Sequence, residues 1–124
     1  MSDAQSLYAP EWLTCPEHPA ELNRTIWTDS FQRNHGGELT IDGIAASELV
    51  KEFDTPQYVF SEDTFRARAR GYRQAFEDAF ARHGAQVSVY YAGKSFLCTS
   101  VARWAHEEGL CLDTASGGVL AIAL

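Results

Sequence analysis

The chain has 124 residues, 45% of them hydrophobic, which is enough for one ordinary domain with a core. It is too short for a complete (β/α)₈ barrel, which takes about 250 residues. The 17 acidic side chains outnumber the 10 basic ones and give a formal net charge of -7, which argues against wholesale binding to nucleic acid or to an anionic membrane.

Apolar runs, the N-terminus and the cysteines indicate where in the cell the protein is located. No apolar run approaches the roughly 20 residues that span a bilayer, and the N-terminus lacks the basic and then apolar order of a secretory signal. Cys15, Cys98 and Cys111 are odd in number and scattered, which is typical of reduced thiols, and the last two are expected in the core. We therefore expect a cytoplasmic protein without a membrane or nucleic-acid partner.

The first part of the chain, residues 1–38, is predicted to be an irregular N-terminal arm. It contains three prolines and the pair Gly36-Gly37 without a sustained hydrophobic period. Cys15 and His18 have a Cys-x-x-His spacing, but no second pair completes a zinc site. We therefore expect no metal.

Residues 39–53 are predicted to form a short strand and a helix that lead into the next region. The strand alternates in hydrophobicity and closes on the Asp42-Gly43 turn. A helix follows from about Ala45 to Phe53. The side chains expected on its core side are Leu49, Val50 and Phe53.

Residues 54–124 alternate between strand and helix patterns. Residues 57–60 form a short apolar run typical of a strand. Ser61 is a good N-cap for a long helix, which Gly84 ends. The apolar stripe expected to face a core on this helix consists of Phe65, Ala69, Tyr72, Phe76 and Phe80. Arginines on the same helix are opposed by acidic residues, which favours a solvated outer face.

The pattern then repeats towards the end of the chain. Residues 86–92 and 110–113 are predicted strands, 96–108 is a predicted helix, and an uncapped apolar helix starts at Val119. Strands that alternate with helices over short connections indicate βαβ units and a parallel sheet. Because so few strands cannot close a barrel, we expect this chain to be the front piece of a larger protein. We also expect that the piece alone neither folds stably nor catalyses.

Lys94 directly follows the apolar and aromatic strand pattern of residues 86–92. A lysine is rarely buried without a partner, so one at the end of a core strand needs an explanation. A desolvated lysine amine becomes a nucleophile able to form a Schiff base with a carbonyl group. The alternative is a lysine that extends from the strand end into water.

The motif Tyr91-Ala-Gly-Lys94 stands among further blocks of characteristic order and spacing. They are Thr55-Pro-Gln-Tyr-Val-Phe-Ser-Glu-Asp-Thr64, Phe96-Leu-Cys-Thr-Ser-Val-Ala-Arg-Trp104 and Glu107-Glu-Gly-Leu-Cys-Leu-Asp113. Together they resemble the diaminopimelate decarboxylases of the actinobacterial type. The resemblance extends over residues 39–124, and more loosely over the arm.

The resemblance implies a pyridoxal phosphate (PLP) enzyme of the alanine-racemase-like class, fold type III. Such enzymes are homodimers that join a PLP-binding (β/α)₈ barrel to a C-terminal β domain. The chain would then be an α/β fold holding the first βα units of an incomplete PLP-binding barrel, preceded by the irregular arm. The implied reaction removes CO₂ from the D-configured centre of a small amino-acid substrate, meso-diaminopimelate, and gives L-lysine.

Two residues match functional positions of that family. Lys94 matches the catalytic lysine that binds PLP covalently, and Asp113 matches an aspartate close to the cofactor at the end of the following strand. Ends of barrel strands carry the chemistry in such folds. The alternative for Asp113 is a structural carboxylate that caps the next turn through nearby backbone N–H groups.

The chain departs from the family pattern at Val119, where the usual Ser-Gly-Gly-Glu-Leu has glutamate. The phosphate cradle and the substrate-binding residues are expected beyond Leu124. Two alternatives stay open. One is a PLP-dependent arginine, ornithine or carboxylated-polyamine decarboxylase, since relatives share the lysine motif. The other is a non-catalytic, truncated remnant.

Overall fold

The computed structural model describes His18 and residues 20–124. Cys15 lies outside these residues, and with it the first half of the Cys-x-x-His spacing. The elements in chain order are β1 (Phe31–Arg33), β2 (Leu39–Ile41), β3 (Ile44–Ala45), α1 (Ala46–Phe53), α2 (Glu62–Ala81), β4 (Tyr90–Ala92), α3 (Thr99–Glu107), β5 (Cys111–Asp113) and α4 (Gly117–Ala123). This mixture of helices and short strands confirms the predicted α/β class.

The first three strands form an antiparallel sheet in the order β1-β2-β3. Asp42 and Gly43 connect β2 to β3 with φ angles of 49° and 83°. Two successive residues with positive φ form the kind of hairpin turn whose twist suits paired strands. Strand β2, the turn and helix α1 therefore lie where the sequence predicts a strand, a turn and a helix, and β3 is an additional strand.

Strand β1 contradicts the prediction of an irregular arm at Phe31–Arg33. The strand is ordered by its partner, with Phe31 opposite Ile41 and Arg33 opposite Leu39. The side chain of Arg24 adds a hydrogen bond to the carbonyl oxygen of Phe31 at 3.3 Å. A three-residue strand with one apolar side chain is too short to show an alternating pattern in the sequence.

Helix α2 begins and ends where the sequence predicts. Ser61 Oγ accepts a hydrogen bond from Thr64 N at 3.0 Å and so caps the first turn. At the other end Gly84 has a φ of 65°, and Ala85 N donates to Phe80 O at 3.2 Å. A glycine in this conformation ends a helix without steric cost.

The strand predicted over residues 57–60 is not formed. A strand requires a neighbour that receives its backbone hydrogen bonds. Within the described residues the second sheet consists of β4 and β5 alone, and residues 57–60 are not part of it. Pro56 also lacks a backbone donor just before this segment. Tyr58 is fully exposed, and Phe60 is 47% exposed. The pattern of residues 57–60 indicates strand propensity, but propensity alone does not supply a partner.

Strands β4 and β5 are parallel and are connected through helix α3, which confirms one predicted βαβ unit. Val101 and Ala105 on α3 are completely buried, and Ala69 on α2 is 5% exposed. Helix α3 ends at a glycine, Gly109, with a φ of 75°. Val101 and Ala105 are four residues apart, so the buried face of α3 has helical spacing.

Several side chains predicted for the core are exposed. On α2, Tyr72, Phe76 and Phe80 are between 41% and 60% exposed. Val50 and Phe53 on α1 are exposed as well, and so is Cys111. The described residues do not provide a surface that covers these apolar groups. Helical periodicity thus identifies the apolar face correctly but does not say what packs on it.

Helix α4 differs from its prediction at the start. It begins at Gly117, and Ser116 Oγ accepts a hydrogen bond from Val119 N at 3.3 Å, so the helix is capped. Serine is a favoured N-cap residue. Among the helices of the described residues, none combines the length and the apolar character needed to cross a membrane.

Candidate functional site

Lys94 lies in the turn directly after β4, two residues beyond Ala92. Its side chain is exposed. Among the described residues it takes part in no ion pair or side-chain hydrogen bond. The desolvation expected of a reactive lysine is therefore not provided by this part of the chain, and the amine extends into solvent.

Asp113 is the last residue of β5 and stands at the same edge of the sheet. The parallel register pairs Ala92 with Asp113, and Lys94 follows Ala92 by two residues. Because the carboxyl ends of parallel strands meet at one edge, the structure brings the two predicted site residues to the same end of the βαβ unit. Both side chains are exposed there.

The capping role considered for Asp113 is not seen. Helix α4, which follows β5, is capped by Ser116. Within the described part of the chain, the carboxylate of Asp113 accepts no hydrogen bond from a backbone N–H group. Asp113 is therefore a carboxylate at the strand end that the described fold leaves without a structural partner.

A cluster of five aromatic side chains includes one residue on each side of Lys94 in the sequence, Tyr91 and Phe96. The ring centroids of Phe60 and Phe96 are 5.0 Å apart, and those of Phe65 and Tyr91 are 5.3 Å apart in an edge-to-face arrangement. Trp104 on α3 completes this aromatic cluster at 6.0 Å from Phe65. Such pairs add stability beyond the apolar area that they bury. The cluster joins α2, β4 and α3.

An ion-pair network connects α2 to the end of α3. Arg66 contacts Glu107 at 2.6 Å and Glu108 at 3.2 Å, and Arg70 contacts Glu108 at 2.7 Å. Glu62 also contacts Arg66, at 2.7 Å. Glu108 is only 9% exposed. The prediction of a solvated outer face is therefore wrong for Arg66, whose side chain is only 21% exposed, whereas Arg70 is 56% exposed and agrees with it.

The network shifts the pKa values of its members in opposite directions. Hydrogen bonds to Glu107, and then to Glu62, raise the pKa of the Arg66 guanidinium above its usual value. Partial burial works to raise the pKa of Glu108, but hydrogen bonds from Arg66 and Arg70 outweigh it and keep that pKa below its usual value. Arg66 also lies 5.9 Å from the centroid of the Trp104 ring, so the network and the aromatic cluster are in contact.

Two cavities among the described residues lie away from Lys94 and Asp113. One, of about 700 Å³, lies near the start of α2 and is lined by polar residues that include Arg24, Asp42 and Arg68. The other, of about 360 Å³, is an apolar groove between α2 and β4 lined by residues that include Tyr72 and Tyr90. Neither lining includes Lys94 or Asp113. No group of His, Cys, Asp and Glu side chains within the described residues could hold a metal ion.

The positions of Lys94 and Asp113 first indicate a class of protein, an α/β protein with a site at the ends of its strands. A primary amine and a carboxylate stand together at the carboxyl edge of a parallel βαβ unit, which is where α/β proteins carry their chemistry. Comparison with known proteins then narrows the class. No protein-family model matches the chain.

Curated relatives do match, and the three described here carry the same name. The diaminopimelate decarboxylase of Mycobacterium tuberculosis (strain ATCC 25618 / H37Rv) is 44% identical over 103 residues, which are 83% of this chain and 22% of that protein. The protein of that name from Corynebacterium efficiens is 42% identical over 104 residues, 84% of this chain and 21% of the relative. The one from Bacillus methanolicus is 40% identical over 91 residues, 73% and 20% of the two chains.

These matches confirm the predicted resemblance: the chain is a relative of the diaminopimelate decarboxylases, including actinobacterial ones. It spans about a fifth of the length of the curated relatives it matches. The comparison does not test the roles of individual residues. Those roles depend on the geometry at the strand ends.

The residues present fit PLP by their chemistry. The cofactor has an aldehyde, and Lys94 offers a primary amine that forms no ion pair within the described fold. The nearby carboxylate of Asp113 can accept a hydrogen bond or balance a positive charge.

Sequence reasoning missed the ion-pair network and the aromatic cluster, because their members are far apart in the chain. Only the alternating charges along α2 gave a local signal.

Proposed function

We propose that this chain supplies the PLP-binding lysine of a diaminopimelate decarboxylase, which removes CO₂ from meso-diaminopimelate and yields L-lysine. One observation carries the proposal: Lys94 and Asp113 both lie at the carboxyl edge of a βαβ unit, in a chain that over 103 residues is 44% identical to a protein of that name. The alternatives that act on arginine, ornithine or a carboxylated polyamine receive no such support, because the relatives described above carry the diaminopimelate name.

The fold proposal extends the same reasoning to the parts of the chain. We infer that residues 54–124 are the first βα units of a PLP-binding (β/α)₈ barrel, with residues 39–53 leading into it and residues 1–38 as an arm. The parallel pairing of β4 and β5 through α3 supports this. The exposed apolar stripe of α2 supports it as well, since a barrel helix needs neighbours on both sides. The complete enzyme would be a cytoplasmic homodimer.

Each of the two site residues has a distinct task in this proposal. Lys94 Nζ would hold the cofactor covalently, and its amine could carry a proton to the reacting carbon. Asp113 stabilises positive charge close to Lys94 and orients hydrogen-bond donors there. When bound, PLP supplies the electron sink that accepts the electron pair left by the departing carboxylate.

Covalent labelling tests the proposal with a control inside the same chain. The sequence contains only two lysines, Lys51 on α1 and Lys94. Both side chains are exposed, so solvent access alone does not distinguish them. The protein, in the form that its gene encodes, is treated with PLP and then with borohydride, which makes the link to the lysine permanent. Peptide mapping should find the pyridoxyl label on Lys94 at PLP concentrations that leave Lys51 unlabelled.

Two matched variants and an activity assay complete the experiment. Lys94→Arg should abolish the label and the release of CO₂ from meso-diaminopimelate, whereas Lys51→Arg should change neither. Equal labelling of the two lysines would contradict the proposal. Specific labelling of Lys94 without CO₂ release from any of the candidate amino acids would identify a cofactor-binding protein that is not a decarboxylase.

A further inference from the structure

The turn that carries Lys94 is tied back to the strand that precedes it. Tyr91 donates a hydrogen bond from its hydroxyl group to the carbonyl oxygen of Phe96, with an O···O distance of 2.6 Å. This is a short bond for a hydroxyl donor. Lys94 lies between the two residues in sequence, three positions after Tyr91 and two before Phe96. The bond therefore closes the chain into a loop with Lys94 on it.

The anchoring side of this loop is fixed to the sheet. Tyr91 is in β4, where its register partner on β5 is Leu112. Its ring packs edge-to-face against Phe65 of α2. Pairing with β5 thus holds the backbone of Tyr91, and packing on α2 holds its phenol ring.

The far side of the loop is restrained by packing. Gly93 is buried, and a Cβ atom at that position would lie 3.0 Å from Leu97 Cδ2, tighter than most Cβ contacts in proteins. Phe96 in turn packs on Phe60. The turn is therefore packed on both sides of Lys94, with Gly93 against Leu97 and Phe96 against Phe60, while the Lys94 side chain stays exposed.

The neighbouring tyrosine shows that the hydroxyl bond of Tyr91 is specific. Successive side chains of a strand point to opposite faces, and Tyr90 is 62% exposed. Within the described residues its hydroxyl group forms no hydrogen bond. Tyr90 and Tyr91 thus form a natural pair in which one hydroxyl group ties the turn and the other does not.

We propose that Tyr91 is a positioning residue for Lys94: its hydroxyl bond to the Phe96 carbonyl fixes the turn, so that the amine is presented in one place at the end of β4. The inference rests on the proposed function, because it assigns a purpose to the position of that amine. Loss of the hydroxyl group alone should let the turn fluctuate while the ring keeps its contact with Phe65. The amine would then spend less time where the cofactor can be bound.

Tyr91→Phe and Tyr90→Phe test this in the protein as its gene encodes it. The first measurement is amide hydrogen exchange of residues 93–98 in protein stripped of PLP. Tyr91→Phe should increase exchange there by about fivefold, the factor that corresponds to one ordinary hydrogen bond. Exchange in helix α3 should not change. The second measurement is the concentration of PLP that gives half-maximal borohydride-trapped label at Lys94, which should rise by a similar factor of about five. Tyr90→Phe should change neither quantity.

The outcomes separate this inference from the proposed function. Faster exchange in the turn with unchanged labelling would overturn the positioning role and leave a merely structural bond. Weaker labelling without faster exchange would overturn it too, since Tyr91 would then act by another route. If the unmodified protein itself fails to label at Lys94, the proposed function fails and takes the inference with it. If Tyr91→Phe does not fold, Leu97→Ala loosens the same turn from its other side and should reproduce both effects, and the inference is overturned if it reproduces neither.

Discussion

The seam between α2 and α3 and the edge formed by the ends of β4 and β5 are built in opposite ways. The seam contains Glu108, which is nearly buried and contacts two arginines. The edge carries Lys94 and Asp113, both exposed and without ion-pair partners within the described residues. Buried charges at a seam are costly unless they are paired, whereas charges kept without partners at a strand end remain available for chemistry. This chain therefore separates the residues that join its elements from the two residues that we propose to react.

The first prediction concerns the edge, where the largest effect is expected. Asp113→Asn keeps the size of the side chain and removes its charge. We expect the PLP concentration needed for half-maximal labelling of Lys94 to rise by about tenfold, the factor for loss of one hydrogen bond to a charged group. Borohydride trapping and peptide mapping measure it.

The matched control for that variant is Asp42→Asn, which removes an acidic charge from the turn between β2 and β3. It should leave labelling unchanged. If Asp113→Asn lowered the free energy of unfolding without changing the labelling, Asp113 would have a structural role. The proposed difference between the edge and the seam would then be wrong.

The second prediction concerns the seam and depends on pH. Because the folded pKa of Glu108 lies below the usual carboxyl value of 4.5, its ionised form stabilises the fold above that value. This contribution is lost as the pH falls through the lower, folded pKa. Glu108→Gln should therefore lower the free energy of unfolding at pH 7, and the difference from the unmodified protein should shrink at acid pH. Urea unfolding over a pH series measures it.

Glu62→Gln is the comparison variant, since Glu62 is an exposed member of the same ion-pair network. Its effect should be the smaller of the two, because exposed ion pairs contribute little. Labelling of Lys94 should be the same in both variants. A pH-independent loss in Glu108→Gln would show that the lost stability does not come from the ionised form of Glu108.

The third prediction concerns the start of α2. Ser61 is 9% exposed, caps the helix through Thr64 N and also donates to Ser30 Oγ at 3.0 Å. Ser61→Ala should lower the free energy of unfolding by about 1 kcal/mol, the usual cost of a lost N-cap. Ser61→Thr keeps the hydroxyl group and should restore most of it. An equal loss in both variants would mean that the site requires the small size of serine more than its hydrogen bonds.

Local signals in the sequence were sufficient for much of the edge and for both ends of α2. Ser61 and Gly84 are residues whose chemistry starts and stops helices. Lys94 was identified from the apolar strand before it, and Asp113 through the family motif at the end of the next strand. These features depend on neighbours within a few residues, which is the range over which a sequence pattern is informative.

The features that sequence reasoning missed depend on residues that are distant in the chain. Arg66 reaches Glu107 and Glu108 across more than 40 residues, and no local pattern encodes that pairing. The segment 57–60 shows the converse, since a good strand pattern stayed without a partner. The bond from Tyr91 to Phe96 is short in sequence, but it depends on the path of the turn between them, which propensity does not specify.

The last and smallest expected effect lies next to the edge, in helix α4, and it tests whether the two regions can be separated at all. Val119 is the third residue of α4, and its backbone N–H already donates to the cap residue Ser116. A glutamate at this position could reach back to the backbone N–H of Ser116 and complete a capping box. Val119→Glu should therefore raise the free energy of unfolding by about 0.5 kcal/mol relative to Val119→Ala, which corrects for the lost apolar contact. Urea unfolding of both variants measures this, and labelling of Lys94 should stay constant. If Val119→Glu changed the labelling as well, a residue outside the strand ends would act on the chemistry, and the edge would have to be extended into α4.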